Sequence, residues 1–267
     1  MTMGRYSSGI AAAVARSALL VTALLAGAVG AAGAEDIKVM TSGAFTAAYL
    51  ELVPVFEKAT GHKVSTAFGA SLGGAPDSIP SRLGRGEPVD VIILADTALE
   101  ALMAQGKIAM GSRVDVARSS MGMVVRKGAP RPDISTLEAL TRTLLSAKSI
   151  AYSASASGTY LSTELFPKLG VADQIAGKVR RIESERVAAV VARGDAEIGF
   201  QQISELLPER GADYVGPLPP GAQRVTMFSA GIAAASKAPE AAKALIAFLV
   251  SREAAHAVTA SGLELVR

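Results

Sequence analysis

The stretch SASASGTYLSTEL, residues 153–165, places several small hydroxyl side chains before a glycine and a helix-like pattern. Three kinds of chemistry fit such a stretch: a turn that presents a nucleophilic serine, a cradle for a phosphate-like anion, or a simple helix cap. Ser and Thr are ordinary N-cap residues because their side-chain oxygens accept hydrogen bonds from the first free N–H groups of a helix. The stretch alone therefore leaves all three interpretations open.

Similar stretches follow other segments that are predicted to be strands. Ser, Thr, Gly or Gln stand between a strand-like and a helix-like segment in TSGAFT, FGASLGG, YSASASGT, IESER and FQQISE. In open α/β sheets, ligands bind in the crevice outside the carboxyl ends of the strands. Free N–H groups at helix starts, together with hydroxyl groups, can hold an anion without a basic residue. The repeated pattern favours a small-anion site over a nucleophile.

The usual catalytic motifs are missing from the sequence. It has two His and no Cys, it has no G-x-S-x-G turn, and GASLGG does not match a P-loop. Neither His is close in sequence to the Ser-rich stretch 153–165, so the sequence shows no general base for a serine nucleophile there. We therefore predict that the protein is not an enzyme and has neither a cofactor nor metal-ligating residues. A secreted enzyme that uses the Ser-rich turn is kept as an alternative of another class.

Helix-like and strand-like segments alternate along the chain, as is typical of α/β folds. VDVIILA, residues 89–95, is continuously apolar, which predicts a strand buried on both faces. The alternation starts again near residue 121, and the Pro- and Gly-rich segment 216–223 leads back toward the first half. We predict two lobes, one formed by 35–117 plus 226–267 and the other by 118–225, with the ligand cleft between them.

The first 34 residues resemble a secretory signal peptide, with early arginines, an apolar run and an Ala-Gly-Ala cleavage site at 32–34. This predicts export to the periplasm. The formal net charge is only +3 and no run of five or more basic residues occurs, so nucleic acid is not expected as a partner. We expect a soluble monomer with a small anionic ligand.

The segments IKVMTSGAFTAA, GRGEPVDVIILAD and ARGDAEIGFQQISE resemble periplasmic molybdate-binding proteins, the solute receptors of ABC importers. The resemblance covers residues 35–267. It implies the two-lobed α/β type II periplasmic-binding-protein fold and a ligand cleft between the lobes. It also implies binding of a small oxyanion such as molybdate or tungstate, and delivery to an ABC permease in the inner membrane.

The resemblance also implies where the ligand binds. Ser71 matches a serine that holds the oxyanion in the family, whereas Ala44 stands at the position of another, with Ser42 two residues before it. Backbone N–H donors fall at or beside Gly158 and Ser184, and Gln202 stands where the family has a tyrosine. The predicted ligand-binding residues are Ser42, Ala44, Ser71, Ser157, Gly158, Ser184 and Gln202.

An organic carboxylate is the alternative ligand for the same receptor. Arg186 stands at the start of the helix-like segment after IESE. A guanidinium group can bind a carboxylate through two parallel hydrogen bonds. The sequence therefore leaves an inorganic oxyanion and a small carboxylate as competing ligands, and a solvated Arg186 on a helix face also remains possible.

Overall fold

The computed structural model describes Met1 and residues 33–266. Residues 2–32, which contain most of the predicted signal peptide, lie outside the described residues. Within residues 33–266, none of the helices has the length and apolar character needed to cross a bilayer.

Ten strands form two five-stranded sheets within the described residues. The first sheet has the order β2-β1-β3-β10-β4 and contains β1 (Asp36–Thr41), β2 (Lys63–Phe68), β3 (Val91–Ala95), β4 (Val114–Ser119) and β10 (Thr226–Ile232). The second has the order β7-β6-β8-β5-β9 and contains β5 (Met121–Arg126), β6 (Ile150–Ser153), β7 (Val179–Ile182), β8 (Ile198–Gln202) and β9 (Ala212–Pro217).

Each sheet combines parallel and antiparallel pairs. In the first sheet, β1 runs parallel to β2 and β3, whereas β10 runs antiparallel to β3 and β4. In the second, β6 runs parallel to β7 and β8, and β5 runs antiparallel to β8 and β9. The parallel pairs bring the carboxyl ends of β1, β2 and β3 to one edge, and those of β6, β7 and β8 to another. The turns selected from the sequence lie at these edges.

The helices mostly connect the strands and cover the sheets. The longer ones are α1 (Thr46–Thr60), α3 (Asp96–Ala104), α4 (Leu137–Ser146), α8 (Val187–Arg193) and α10 (Pro239–Leu249). The shorter ones are α2 (Ile79–Gly84), α5 (Ala156–Tyr160), α6 (Phe166–Lys168), α7 (Ala172–Ile175), α9 (Ile203–Leu206) and α11 (Ala255–Ala260). Short 3-10 turns occupy Gly43–Phe45 and Ala176–Lys178. The helix predicted from the Ser-rich stretch is not regular, because Leu161–Leu165 form a π-helical turn between α5 and α6.

The cores lie on both faces of each sheet. All five residues of β3 are buried, as its continuous apolar run predicts. Residues such as Phe45, Tyr49 and Leu245 pack on one face of the first sheet, and Ile92 and Leu99 contribute to the other. The second sheet has clusters on its two faces in the same way. Two rigid layers are the result, and the loops at their edges are held in place by packed cores.

Asp90, in the segment GRGEPVDVIILAD that carries part of the family resemblance, supports the fold. It lies just before β3, where its Oδ1 accepts hydrogen bonds from Ser236 Oγ at 2.7 Å and from Lys237 N at 2.8 Å. Its Oδ2 accepts from Lys38 N at 2.8 Å. Burial alone would raise the pKa of Asp90, but these hydrogen bonds to its charged form lower it overall. The carboxylate thus joins β1, β3 and the segment that leads into α10.

The chain crosses between the sheets at Ser120, between the end of β4 and the start of β5, and returns through residues 218–225. The predicted lobe boundary at 117/118 falls inside β4, whereas the one at 225/226 coincides with the start of β10. The residue bounds of the two lobes stay a prediction.

Candidate active site

A cavity of about 390 Å³ lies between the edges of the two sheets. Hydroxyl groups, backbone turns and a few charged side chains form its walls. From the first sheet and its turns come Ser42, Gly43, Ala44, Thr46, Ser71 and Asp77; from the second come Ser153, Ser155, Ser157, Glu183, Ser184, Glu185, Arg186, Gln201, Gln202 and Glu205. All five turns selected from the sequence contribute to this one cavity.

Two serines predicted to bind ligand face the cavity from the first sheet. Ser42 is buried, and its Oγ has no hydrogen-bond partner among the described residues, although it lines the cavity. Ser71 is also buried, and its Oγ accepts a hydrogen bond from Ala95 N at 3.0 Å. A hydroxyl group that already accepts one bond still has its own proton to donate. Both serines can therefore donate a hydrogen bond to an anion in the cavity, and the methyl group of Ala44 lies beside them.

The other predicted ligand-binding residues lie at or after the ends of strands of the second sheet, and they differ in whether they line the cavity. Ser157 is buried and lines the cavity, whereas Gly158 does not line it. A Cβ atom on Gly158 would lie 1.5 Å from Ser153 O, so this position packs against the end of β6. Ser184 lines the cavity, and its Oγ donates to Asp77 Oδ1 at 3.0 Å. This hydrogen bond connects turns that belong to the two different sheets.

The amide of Gln202 makes hydrogen bonds to β4 and β10, the strands next to which the chain crosses between the two sheets. Its nitrogen is placed to donate to Ser119 Oγ at 2.9 Å, and its oxygen accepts from Thr226 Oγ1 at 3.0 Å. Gln202 therefore lines the cavity while its polar atoms contact β4 and β10. These hydrogen bonds give Gln202 a role in joining β8 to β4 and β10.

Glu205 is the most unusual ionisable group in the cavity. It lies in α9, directly after β8, and it is a half-buried residue in the wall of the cavity. Burial of its carboxyl group raises the pKa to about 7, even though Arg186 and a hydrogen bond from Gln201 both act to lower it. A carboxyl group with a pKa near neutrality can take up and return a proton under physiological conditions.

Arg186 supplies positive charge to the same cavity. It is half-buried, directly precedes α8, and makes no ion pair with any described residue. A free guanidinium group beside several hydroxyl donors suits a carboxylate ligand. Glu183 and Glu185 also line the cavity, but they pair with arginines outside it. Among the described residues, no cluster of three or more His, Cys, Asp or Glu side chains is available to hold a metal ion.

Reasoning from sequence missed Glu205 and Gln201. The turn FQQISE is predicted to belong to the site through Gln202, and no role is predicted for Gln201 or Glu205. The available signal was a carboxyl residue in the first turn of a helix at the carboxyl end of a buried strand. Its altered pKa depends on burial by residues that are distant in sequence, so the turn alone could not reveal it.

Residues 37–264 match the family of bacterial extracellular solute-binding proteins. The chain belongs to this family. The solved periplasmic molybdate-binding protein of Azotobacter vinelandii has the same fold, with a TM-score of 0.70 and 22% identity over 86% of this chain and 100% of that chain. The predicted two-lobed α/β periplasmic-binding-protein fold is thereby confirmed.

Two relatives of the chain are named for different functions, one for an isomerase activity and the other for molybdate binding. An aconitate isomerase from Pseudomonas sp. is 46% identical over 228 residues, which cover 85% of this chain and 87% of that protein. The molybdate-binding protein ModA of Azotobacter vinelandii is 32% identical over 192 residues, which cover 70% of this chain and 73% of that protein. The prediction that the chain is not an enzyme is wrong, because the relative with 46% identity is an isomerase.

Proposed function

We propose that the protein is an isomerase of a small unsaturated polycarboxylate of the aconitate type, with Glu205 as the residue that transfers the proton. The observation that carries this proposal is the enclosed carboxyl group of Glu205, with a pKa of about 7, in the same cavity as Arg186. The 46% identity to an aconitate isomerase supports the choice of substrate class.

The reaction needs only the movement of one proton. Aconitate is propene-1,2,3-tricarboxylate, in which a CH₂ group neighbours the double bond. The carboxylate of Glu205 removes a proton from that CH₂, the electrons move across the three carbons, and the proton returns to the far carbon. The double bond shifts by one position and the same skeleton is regenerated, so its geometry can change between cis and trans. Atoms and electrons balance within the substrate and Glu205.

The remaining residues have roles that follow from their chemistry. Arg186 binds one substrate carboxylate through two hydrogen bonds, and Ser42 and Ser71 donate to another. Negative charge develops on the substrate as the proton leaves, and fixed donors that face this charge stabilise the transition state. A general base in such a site contributes about a hundred- to ten-thousandfold to the rate.

The experiment is to incubate the purified protein with cis-aconitate and follow the trans isomer by proton NMR, in H₂O and in D₂O. We expect isomerisation by the wild-type protein and a loss of at least about a hundredfold in Glu205→Gln. Calorimetric titration with molybdate and tungstate runs in parallel. Tight molybdate binding without any conversion of aconitate would contradict the proposal.

A receptor function for a small carboxylate is the second candidate, and it is favoured by membership in the solute-binding family. In this function the exported chain would work in the periplasm and deliver the carboxylate to an inner-membrane permease. It uses the same cavity and the same Arg186. Calorimetric binding of aconitate without turnover would favour this candidate over the isomerase.

A further inference from the structure

The side chain of Gln201 is held at both ends of its amide. Gln201 is buried in β8, and its Oε1 accepts a hydrogen bond from Val187 N at 2.9 Å. Its Nε2 donates to Glu205 Oε1 at 2.8 Å. A backbone N–H can only donate, so the amide oxygen must face Val187. The amide nitrogen must therefore face Glu205.

The two carboxyl oxygens of Glu205 have different surroundings. A Cβ atom on Gly43 would lie 1.9 Å from Glu205 Oε1, so this oxygen is packed against the backbone of the 3-10 turn that follows β1. Gln201 contacts the same oxygen. Glu205 Oε2 makes no hydrogen bond within the part of the chain that the structure describes. One oxygen is thus held in place while the other is free.

We infer that Gln201 is a positioning residue that holds Oε1 of Glu205 and thereby assigns proton exchange with the substrate to Oε2. This inference rests on the proposed isomerase function. In the forward step Oε2 takes the proton from the substrate carbon and forms an O–H bond, and in the return step it gives the proton back. Gln201 acts through Glu205 and exchanges no proton itself.

Among the described residues, the other charged side chains that line the cavity make no hydrogen bond to Glu205. Arg186, Asp77, Glu183 and Glu185 line the cavity with Glu205. Arg186 favours the ionised form of Glu205 through its positive charge. Each of the other three carboxylates contacts a partner other than Glu205: Ser184, Arg181 and Arg193, respectively. Gln201 is the hydrogen-bond donor to Glu205 among the described side chains.

The test replaces Gln201 in two ways. Gln201→Met keeps the length of the side chain but removes the donor, which should raise the midpoint of the Glu205 titration by about one pH unit. Gln201→Glu places a second carboxyl group beside that of Glu205. This should raise the midpoint further, because the negative charge of one carboxylate disfavours ionisation of the other. Gln202→Met is the matched control for this midpoint, since its amide contacts Ser119 and Thr226 instead.

The readout is the ¹³C chemical shift of the glutamate carboxyl carbons, with the Glu205 signal assigned by its absence in Glu205→Gln. The inference is supported if the midpoint rises in the order wild type, Gln201→Met, Gln201→Glu, with no change in Gln202→Met. The pH at which kcat/KM for aconitate reaches half its maximum should move by the same amount. A general loss of activity at all pH values, with the midpoint unchanged in Gln201→Met, would overturn it.

The two proposals fail in different ways. A wild-type protein that never isomerises aconitate refutes the proposed function, whereas the chemical-shift titration still reports whether Gln201 controls Glu205. An unchanged titration in an active enzyme refutes only the role of Gln201. If one of the variants at Gln201 does not fold, the other variant decides the outcome.

Discussion

Replacing Glu205 with glutamine removes an ionisation from the cavity while keeping the shape of the protonated side chain. In the folded protein the pKa of Glu205 is about 7, against 4.5 for an ordinary glutamate. The folded state therefore keeps this proton over a pH range in which the unfolded chain loses it. Because the folded state binds more protons there, its stability falls as the pH rises.

The size of this effect follows from the two pKa values. A difference between 4.5 and about 7 corresponds to about 3 kcal/mol in the free energy of unfolding, fully expressed once the carboxylate is ionised in both states. Below about pH 4.5, glutamate and glutamine should give similar stabilities. Between about pH 4.5 and about pH 7 the advantage of Glu205→Gln should grow, and above that it should stay constant.

The assay is urea unfolding of the wild type and of Glu205→Gln, without substrate, at several pH values across this range. Comparing the two proteins at each pH cancels the titration of all other groups, provided that they are not coupled to Glu205. Glu209, an acidic residue in the same region with no resolved contact to the cavity, supplies the control variant Glu209→Gln. A stability difference that stays flat from low to high pH would refute the reasoning that burial raises the pKa of Glu205.

Three further substitutions test the cavity. Gly43→Ala adds a methyl group where the carboxyl oxygen of Glu205 lies and should reduce the isomerisation rate about a hundredfold. The control is Gly74→Ala, which has open space around it and should leave the rate unchanged. Equal rates in the two variants would contradict the contact between Gly43 and Glu205. Arg186→Lys should weaken aconitate binding about ten- to a hundredfold in calorimetry, because the paired hydrogen bonds are lost; unchanged affinity would mean that Arg186 stays in solvent. Ser71→Ala leaves the Ala95 N–H without its partner and should also weaken aconitate binding. The free energy of unfolding, measured by urea unfolding, should fall by about 1–3 kcal/mol. An unchanged free energy of unfolding would show that water replaces the hydroxyl group.

The fold was largely predictable because its signals are local and repeated. The continuous apolar run at 89–95 marks a central strand, and the α/β alternation restarts where the second sheet begins. The carboxyl ends of strands also located the cavity, since five turns with small polar residues meet there. Such patterns depend on a few neighbouring residues, so they can be recognised in the sequence.

The roles of single residues were harder to predict, because contacts across long sequence distances decide them. Gln202 joins the crossing strands through Ser119 and Thr226, and Gly158 packs against Ser153. The expected base was a histidine close in sequence to the Ser-rich stretch, whereas the group in the cavity is a glutamate whose pKa is raised by its enclosure. Enclosure is a property of the assembled layers, and the sequence near Glu205 carries no sign of it.

The packing of Glu205 against Gly43 links the shape of the protein to the acidity of its surroundings. Gly43 follows a strand of the first sheet and Glu205 follows a strand of the second, so the carboxyl group is enclosed only while the two edges stay together. Parting of the edges would return it to water, where a glutamate releases its proton at neutral pH. Such parting would release the proton, so an acidic medium would favour the packing of Glu205 against Gly43 and a more alkaline medium would weaken it.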